Sequence, residues 1–261
     1  MKKIFNNSKS TNYHHHQPNE QIQTTSISQT YSHFIGKTFQ LSKHTVCIED
    51  IIAEGGFSVV FLARSNVNGK KYALKRMYVN NEQDLEACKL EIQICKTLSE
   101  HNKYILKYVD SFVHRQSSDI YEILLLTKYC KLGGVVQLMN DRLNNSPIQR
   151  LTENEILKIF CDTCEAVADL HAHELIHRDL KIENILIDDQ IVSNEHARSS
   201  SKDKRSNLNN SINNNNNSNN QRQLNFVLCD FGSATKHVFD RNNKSNSSNQ
   251  NVQLVADEIQ K

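Results

Sequence analysis

The chain has 261 residues and a net charge of only +2, from 31 Lys and Arg against 29 Asp and Glu. This length suits one or two domains, and the charge balance provides no broad basic field for nucleic acid or a membrane surface. No stretch approaches the roughly 20 apolar residues that a bilayer span requires, and the polar N-terminus lacks a signal-peptide core. We therefore expect a soluble cytoplasmic protein with no nucleic-acid partner and no transmembrane segment.

Two segments are too polar to form a core. Residues 1–33 are rich in Asn, Ser, Gln and Thr, and residues 190–223 contain the unbroken asparagine run 213–217. Such segments bury too little apolar surface to offset the entropy lost on ordering. Both are predicted to be disordered, the second as an insertion that bulges into solvent. A prion-like association segment is the alternative for the insertion.

The first folded part is predicted to be mostly β-structure. Alternating apolar runs predict strands over 48–53, 59–63, 72–77, 107–113 and 121–126. Asn68-Gly69 between two of these runs is a strong hairpin signal. The turn between the first two strands reads Ala53-Glu54-Gly55-Gly56-Phe57-Ser58-Val59-Val60. Between their first two strands, protein kinases have a G-x-G-x-x-G-x-V loop that covers the ATP phosphates. Only Gly55 falls on a glycine position of that pattern, so a plain glycine-rich hairpin is the alternative.

Lys75 and Glu91 are predicted to form an ion pair. The strand period of two places Lys75 on the same face as Ala73 and Met77, so its charge needs an anionic partner. A helix is predicted over 82–99, with Asn81 as its N-cap. Glu91 lies on the apolar stripe of this helix, where an unpaired charge is costly. Two independent solvated charges are the alternative.

A second helix is predicted to begin at a capping box, Thr152-Glu153-Asn154-Glu155, and to end near His173. Its expected apolar stripe contains Ile156, Ile159, Phe160, Thr163, Val167 and Leu170. The seven cysteines show no paired metal-ligand spacing, so they are interpreted as small buried side chains. This includes Cys161 and Cys164, a lone C-x-x-C inside the helix, for which a zinc or redox site is the alternative.

The most informative motif follows this helix. Residues 177–184 read H-R-D-L-K-I-E-N, and Asp230-Phe231-Gly232 comes 46 positions after Asn184. H-R-D-L-x-x-x-N ahead of D-F-G is the motif pair with which protein kinases hold the metal ions and the substrate hydroxyl in phosphoryl transfer. Residues 185–187 and 226–229 are expected to pair as a hairpin across the long insertion, because loop-closure entropy rises only with the logarithm of length.

With these motifs in place, the chain resembles eukaryotic protein kinases and, more narrowly, the Numb-associated kinase family. The residues that carry the narrower resemblance are 53–57 with 60–62, 73–77, 130–136 with 138–140, 160–167 and 227–235. The resemblance implies an α+β, bilobal fold, with a β-rich N-lobe containing helix C over 34–127 and a partial helical C-lobe over 128–261. It also implies an ATP- and Mg²⁺-dependent serine/threonine kinase whose protein substrates include clathrin-adaptor subunits at endocytic membranes.

The resemblance assigns roles to matching positions of this chain. Asp179 would accept the substrate hydroxyl proton, Lys181 would meet the γ-phosphate, and Lys75 with Glu91 would position the α- and β-phosphates. Asn184 and Asp230 would hold Mg²⁺. Residues implied to bind ATP are Ala53, Gly55, Gly56, Val60, Ala73, Lys75, the gatekeeper Thr127, and the hinge residues Lys128, Tyr129 and Cys130.

One departure from the family bears on activity. The only prolines are Pro18 and Pro147, so no A-P-E motif follows D-F-G, and the sequence is expected to end within the activation segment. We interpret the chain as a truncated copy, an incomplete gene product or a protein that no longer catalyses. A nucleotide-binding or scaffold module is therefore the alternative to the enzyme. A small-molecule kinase is disfavoured by the motif set.

Overall fold

The computed structural model describes residues 31–56, 58–193 and 220–236. Their upper part is a six-stranded antiparallel sheet in the order β1-β2-β3-β4-β6-β5. The strands are β1 (Thr38–Gln40), β2 (Thr45–Glu54), β3 (Ser58–Ser65), β4 (Lys71–Val79), β5 (Tyr108–Arg115) and β6 (Tyr121–Lys128). All five predicted strands are confirmed. The sequence did not predict β1, whose three residues are too few to show an alternating pattern.

Helix α1 (Glu82–Leu98) packs on one face of this sheet. Its N-cap is Asn81, as predicted, and the Asn81 side chain accepts a hydrogen bond of 2.8 Å from the Asp84 N–H. Leu85, Ile94 and Leu98 are buried against the sheet and the lower lobe. Capping and a buried apolar face together explain why this segment is helical.

The opposite face of the sheet has its own core, which corrects one predicted boundary. The ring of Tyr31 lies 6.4 Å from that of Phe34 and 6.5 Å from that of the fully buried Phe61. Residues 31–33, which the predicted polar tail included, therefore belong to the folded part, because Tyr31 packs on Phe61 and Ser32 and His33 form a short 3₁₀ turn with Phe34. Residues 1–30 of the predicted tail lie outside the described residues.

The lower lobe contains helices α2 (Val135–Leu143) and α3 (Glu153–Ala172) and a two-stranded sheet. The predicted capping box at Thr152 and Glu155 is present, with both reciprocal hydrogen bonds. The sequence patterns considered above did not predict α2, which has only nine residues. Along the part of the chain that the structure describes, no helix is both long and apolar enough to span a bilayer.

The buried stripe of α3 differs from the predicted one. It contains Ile159, Asp162, Ala166 and Leu170, whereas Phe160 is 65% exposed. Asp162 lies inside because its carboxylate accepts hydrogen bonds from the Phe226 N–H at 2.9 Å and from Lys158 Nζ at 2.8 Å. The buried face of α3 therefore includes an acid that anchors a neighbouring strand and is not the most apolar face of the helix.

The same orientation of α3 makes the cysteine prediction wrong for two positions. Cys161 and Cys164 are exposed, while Cys95 and Cys130 are buried as expected. The hydrophobicity pattern alone predicted that Cys161 and Cys164 are buried. Because Asp162 lies on the buried face of α3, both cysteines face outward.

The predicted hairpin across the insertion is present and longer than expected. Strands β7 (Ile185–Ser193) and β8 (Asn220–Leu228) pair antiparallel from Ile185↔Leu228 to Ser193↔Asn220. Residues 190–193 and 220–223 therefore belong to the ladder and not to the disordered insertion, because backbone pairing continues past the apolar residues. The rest of the insertion, 194–219, lies outside the described residues, as do residues 237–261.

Candidate active site

A cleft of about 780 Å³ lies between the upper sheet and the lower lobe. Nearly all residues implied to bind ATP line it, from Ala53, Gly55, Val60, Ala73 and Lys75 to Thr127, Lys128, Tyr129 and Cys130. Gly56 is the exception. The Gly55 N–H donates a 2.8 Å hydrogen bond to the Ser58 carbonyl and closes the turn, which leaves Gly56 exposed at its tip.

Several lining residues were missed by sequence reasoning. Leu125 lines the cleft, and its position follows from the strand period of two, since it precedes Thr127 by two residues. Leu186 lines the cleft from β7. An isolated bridge joins it to Gly134, and no pattern in the sequence predicted this contact between distant segments.

Lys75 is the centre of the charged part of the cleft. Its Nζ lies 2.7 Å from Glu91 Oε1 and 2.9 Å from Asp230 Oδ1. Strand β4 supplies the lysine, α1 supplies the buried glutamate, and the segment after β8 supplies the aspartate. Three distant parts of the chain therefore converge on one ammonium group, as the sequence predicts for Lys75 and Glu91.

Burial and charge compete in this cluster. Burial lowers the pKa of Lys75, but the carboxylates of Glu91 and Asp230 outweigh burial and raise it above its ordinary value. Burial raises the pKa of Glu91, and Lys75 opposes that rise. Burial alone would raise the pKa of Asp230, but Lys75 lowers it. Lys75 is therefore held as a cation, and Asp230 is ionised at neutral pH.

Asp179 and Lys181 do not line the cleft themselves, but Asp179 contacts Asn184, which does. Lys181 Nζ is 2.8 Å from Asp179 Oδ2. Asn184 Nδ2 donates to the same oxygen at 3.2 Å and to the Asp179 carbonyl at 2.9 Å. The hydrogen bond from Lys181, helped by Asn184, lowers the pKa of Asp179, so this carboxylate is ready to accept a hydrogen bond at neutral pH.

His177 joins this loop to the D-F-G segment. Its Nε2 donates to the Cys229 carbonyl at 3.2 Å, and its Nδ1 accepts the Asp179 N–H at 3.3 Å. Burial lowers the pKa of His177, which agrees with a neutral ring. Its ring also meets the fully buried Phe231 edge-on at 5.3 Å. This histidine aligns Asp179 with the end of β8 and was not among the predicted site residues.

The backbone of Asp230 adopts an uncommon conformation, with φ at +61°. A non-glycine residue rarely occupies this region, and such strain is typical of functional sites. Here it turns the carboxylate toward Lys75 while Phe231 enters the core. Sequence reasoning identified the residue but had no signal for its conformation.

The donor atoms present fit a magnesium ion. The Asn184 amide nitrogen donates hydrogen bonds to Asp179, so the side-chain carbonyl oxygen of Asn184 is turned away from Asp179. Asp230 offers a carboxylate. Both residues line the cleft. Mg²⁺ prefers hard oxygen ligands of this kind together with phosphate oxygens. The backbone ties the two residues together, since the Cys229 N–H donates to the Asn184 carbonyl at 2.9 Å.

The amino-acid sequence is similar to those of known proteins. The Protein kinase domain family matches residues 47–259. The chain belongs to this family. A probable serine/threonine-protein kinase of Dictyostelium discoideum is 36% identical over 217 residues, which is 82% of this chain. Serine/threonine-protein kinase sel-5 of Caenorhabditis elegans is 40% identical over 206 residues, or 78% of this chain. Serine/threonine-protein kinase ppk30 of Schizosaccharomyces pombe is 44% identical over 155 residues, or 58%.

The aligned region is a small part of these relatives. It amounts to 16% of the length of each of the three. Family membership agrees with the curled antiparallel sheet, the helix α1 that packs on it and the helical lower lobe, so the predicted bilobal α+β fold is confirmed.

Proposed function

We propose that the chain acts as an ATP- and Mg²⁺-dependent protein kinase that phosphorylates serine and threonine side chains of proteins. One observation supports this proposal most strongly. In the cleft Lys75 contacts both Glu91 and Asp230, and Asn184, which also lines the cleft, contacts Asp179. Phosphoryl transfer needs this combination of a phosphate-binding cation, oxygen ligands for a metal and a carboxylate that orients the attacking hydroxyl.

Each residue has a distinct task in this proposal. Lys75, oriented by Glu91, binds the α- and β-phosphates, and Lys181 binds the transferred phosphoryl group. Asp179 accepts the hydrogen bond from the substrate hydroxyl and orients its oxygen toward the phosphorus. Asn184 and Asp230 would hold Mg²⁺, which supplies charge neutralisation at the phosphates when bound. The apolar walls at Leu125 and Leu186 would enclose the adenine ring.

The test is phosphate transfer from labelled ATP to a general protein substrate. The Asp179→Asn variant keeps the size of the side chain but removes its charge, and it should lower the rate about 100-fold or more. Asp119→Asn, in an exposed turn, is the matched control and should leave the rate unchanged. Unchanged transfer by Asp179→Asn would show that its assigned role is wrong.

The alternative, a nucleotide-binding or scaffold module without catalysis, makes a different prediction. It requires that residues 1–261 transfer no phosphate, in the wild-type sequence as well as in Asp179→Asn, whether or not they bind ATP. Transfer by the wild-type chain that disappears in Asp179→Asn would reject it.

The narrower resemblance supports a narrower proposal. The runs at 53–57, 73–77, 160–167 and 227–235 are similar to the Numb-associated kinase family. We therefore propose clathrin-adaptor subunits as substrates and a cytoplasmic location at endocytic membranes. A purified adaptor subunit should be phosphorylated faster than a general substrate such as casein at equal concentration. Equal rates would contradict this substrate assignment and leave the kinase activity itself intact.

A further inference from the structure

Two histidines and an aspartate meet away from the nucleotide cleft. They are His101, in the turn after α1, Asp169 on α3, and His173, the C-cap of α3. One nitrogen or oxygen atom from each lies within 4.8 Å of the other two. None of the three lines the cleft. The cluster is therefore a second group of chemically capable side chains, which the kinase chemistry does not use.

The distances within the cluster suit a tetrahedral metal ion. His101 Nε2 lies 3.3 Å from Asp169 Oδ2, and His173 Nδ1 lies 3.4 Å from Asp169 Oδ1. Bonds of about 2.0–2.1 Å to zinc at tetrahedral angles separate neighbouring ligand atoms by about 3.3 Å. The two separations are close to this value, but each involves a different oxygen of Asp169, so a rotation has to bring both nitrogens to one metal position. Because His101 and His173 are about half exposed, their rings have room for the small rotation that would complete the site.

Asp169 is held in position by a neighbour. The Asn102 amide donates a 3.0 Å hydrogen bond to Asp169 Oδ2, and the Asn102 carbonyl oxygen accepts the Tyr104 N–H at 2.8 Å. The carboxylate is mostly buried, with 17% of its side chain exposed. Metal-binding carboxylates typically have such supporting hydrogen bonds, which fix their orientation before the ion arrives. The site therefore has a supporting contact as well as ligands.

We propose that His101, Asp169 and His173 bind a zinc ion, with water or a partner's side chain as the fourth ligand. Two imidazoles and one carboxylate favour Zn²⁺ over Mg²⁺, which prefers oxygen ligands alone. Binding replaces one existing contact, since His173 Nδ1 now lies 2.9 Å from the carbonyl of Asp169. In this contact the Nδ1–H donates to the carbonyl oxygen, so zinc would bind Nδ1 in the other tautomer of the ring, with the proton on Nε2.

Such an ion would connect two elements of the active site. His101 follows the helix that carries Glu91, and His173 ends the helix that precedes the loop containing Asp179. Zinc would fix the end of α1 against the end of α3 and restrict their relative movement. This proposal does not depend on the proposed phosphoryl transfer, because zinc binding is measured without ATP.

The experiment is calorimetric titration of ZnCl₂ into the 261-residue chain with excess Mg²⁺ present. Other zinc ligands are first removed by changing His14, His15 and His16 to Ser and both Cys161 and Cys164 to Ser. This background protein should bind one equivalent of zinc. His101→Gln and His173→Gln should each weaken binding by at least 10–100-fold, the loss typical of removing even a supporting contact. His171→Gln, two residues before His173 and also exposed, is the matched control and should bind as the background does.

Two further readouts keep the test decisive. Circular dichroism without zinc should be the same for all variants, because the altered histidines are exposed, and zinc should raise the melting temperature only where both histidines remain. Anomalous scattering from a zinc-soaked crystal should place the ion beside Asp169. The proposal would be overturned if the background protein bound no zinc, or if His101→Gln and His173→Gln bound zinc as tightly as the background protein does. An ion located away from Asp169 would also overturn it.

Discussion

The ion pair between Lys75 and Glu91 is predicted to couple strongly in a double-mutant cycle. The variants are Lys75→Met, Glu91→Leu and the double variant, each of which replaces a charge by an apolar group of similar length. The cycle isolates the interaction because Lys75 and Glu91 contact one another at 2.7 Å and come from different elements.

The two single variants are expected to differ in cost. Lys75→Met leaves the carboxylate of Glu91, with 3% of its side chain exposed, without its cation, and breaking a buried pair in this way costs about 3–5 kcal/mol. Glu91→Leu should cost less, about 2 kcal/mol, because Lys75 keeps Asp230 at 2.9 Å. The double variant removes both charges, so its cost should fall below the sum by about 1–3 kcal/mol.

The assay is equilibrium unfolding in urea at neutral pH, followed by circular dichroism. The matched control is Lys89→Met, which breaks a 2.6 Å pair with Glu86 on the exposed side of the same helix and should have no measurable effect on stability. Additive single effects, or a larger loss for Glu91→Leu than for Lys75→Met, would refute the account of which charge depends on the other.

Three other predictions concern the lower lobe. Asp162→Ala should destabilise the protein by about 1–3 kcal/mol and speed hydrogen exchange at the Phe226 amide, which loses its buried acceptor; unchanged exchange would count against this anchor. The Arg142 hydrogen bond lowers the pKa of Glu155 to about 2, so the stability from this pair is complete above pH 4.5 and lost as the pH falls toward 2. Because Glu155 is partly exposed, the loss should be about 1 kcal/mol, and Glu155→Gln should remove this pH dependence; an equally steep acid transition in the variant would contradict the assignment. Replacing residues 194–219 by Asn-Gly should preserve nucleotide affinity, because the strands on either side already pair up to that point, and a large loss of affinity would show that the insertion contributes to the site.

Local patterns predicted most of the fold. Strand alternation placed Lys75 on the same face as Ala73 and Met77, and helical spacing placed Glu91 on the buried stripe of its helix. Their contact therefore followed from two independent periodicities. The capping box at Thr152 was likewise visible, because a cap depends on residues three positions apart.

The failures came from contacts between distant residues. Asp162 is buried because it bonds Phe226, 64 positions away, and that contact exposes Cys161 and Cys164. Tyr31 belongs to the folded part because its ring packs against the ring of Phe61. The cluster at His101, Asp169 and His173 joins two segments whose approach no local pattern predicts.

The most direct test of the central claim is the effect of Mg²⁺ on binding of a non-hydrolysable ATP analogue. The cleft is predicted to bind the analogue more tightly with Mg²⁺ than without it, and Asp230→Asn and Asn184→Ala should each lose that gain while still binding the analogue alone. A gain from Mg²⁺ that persists in both variants would show that Asp230 and Asn184 do not share a metal site with the nucleotide.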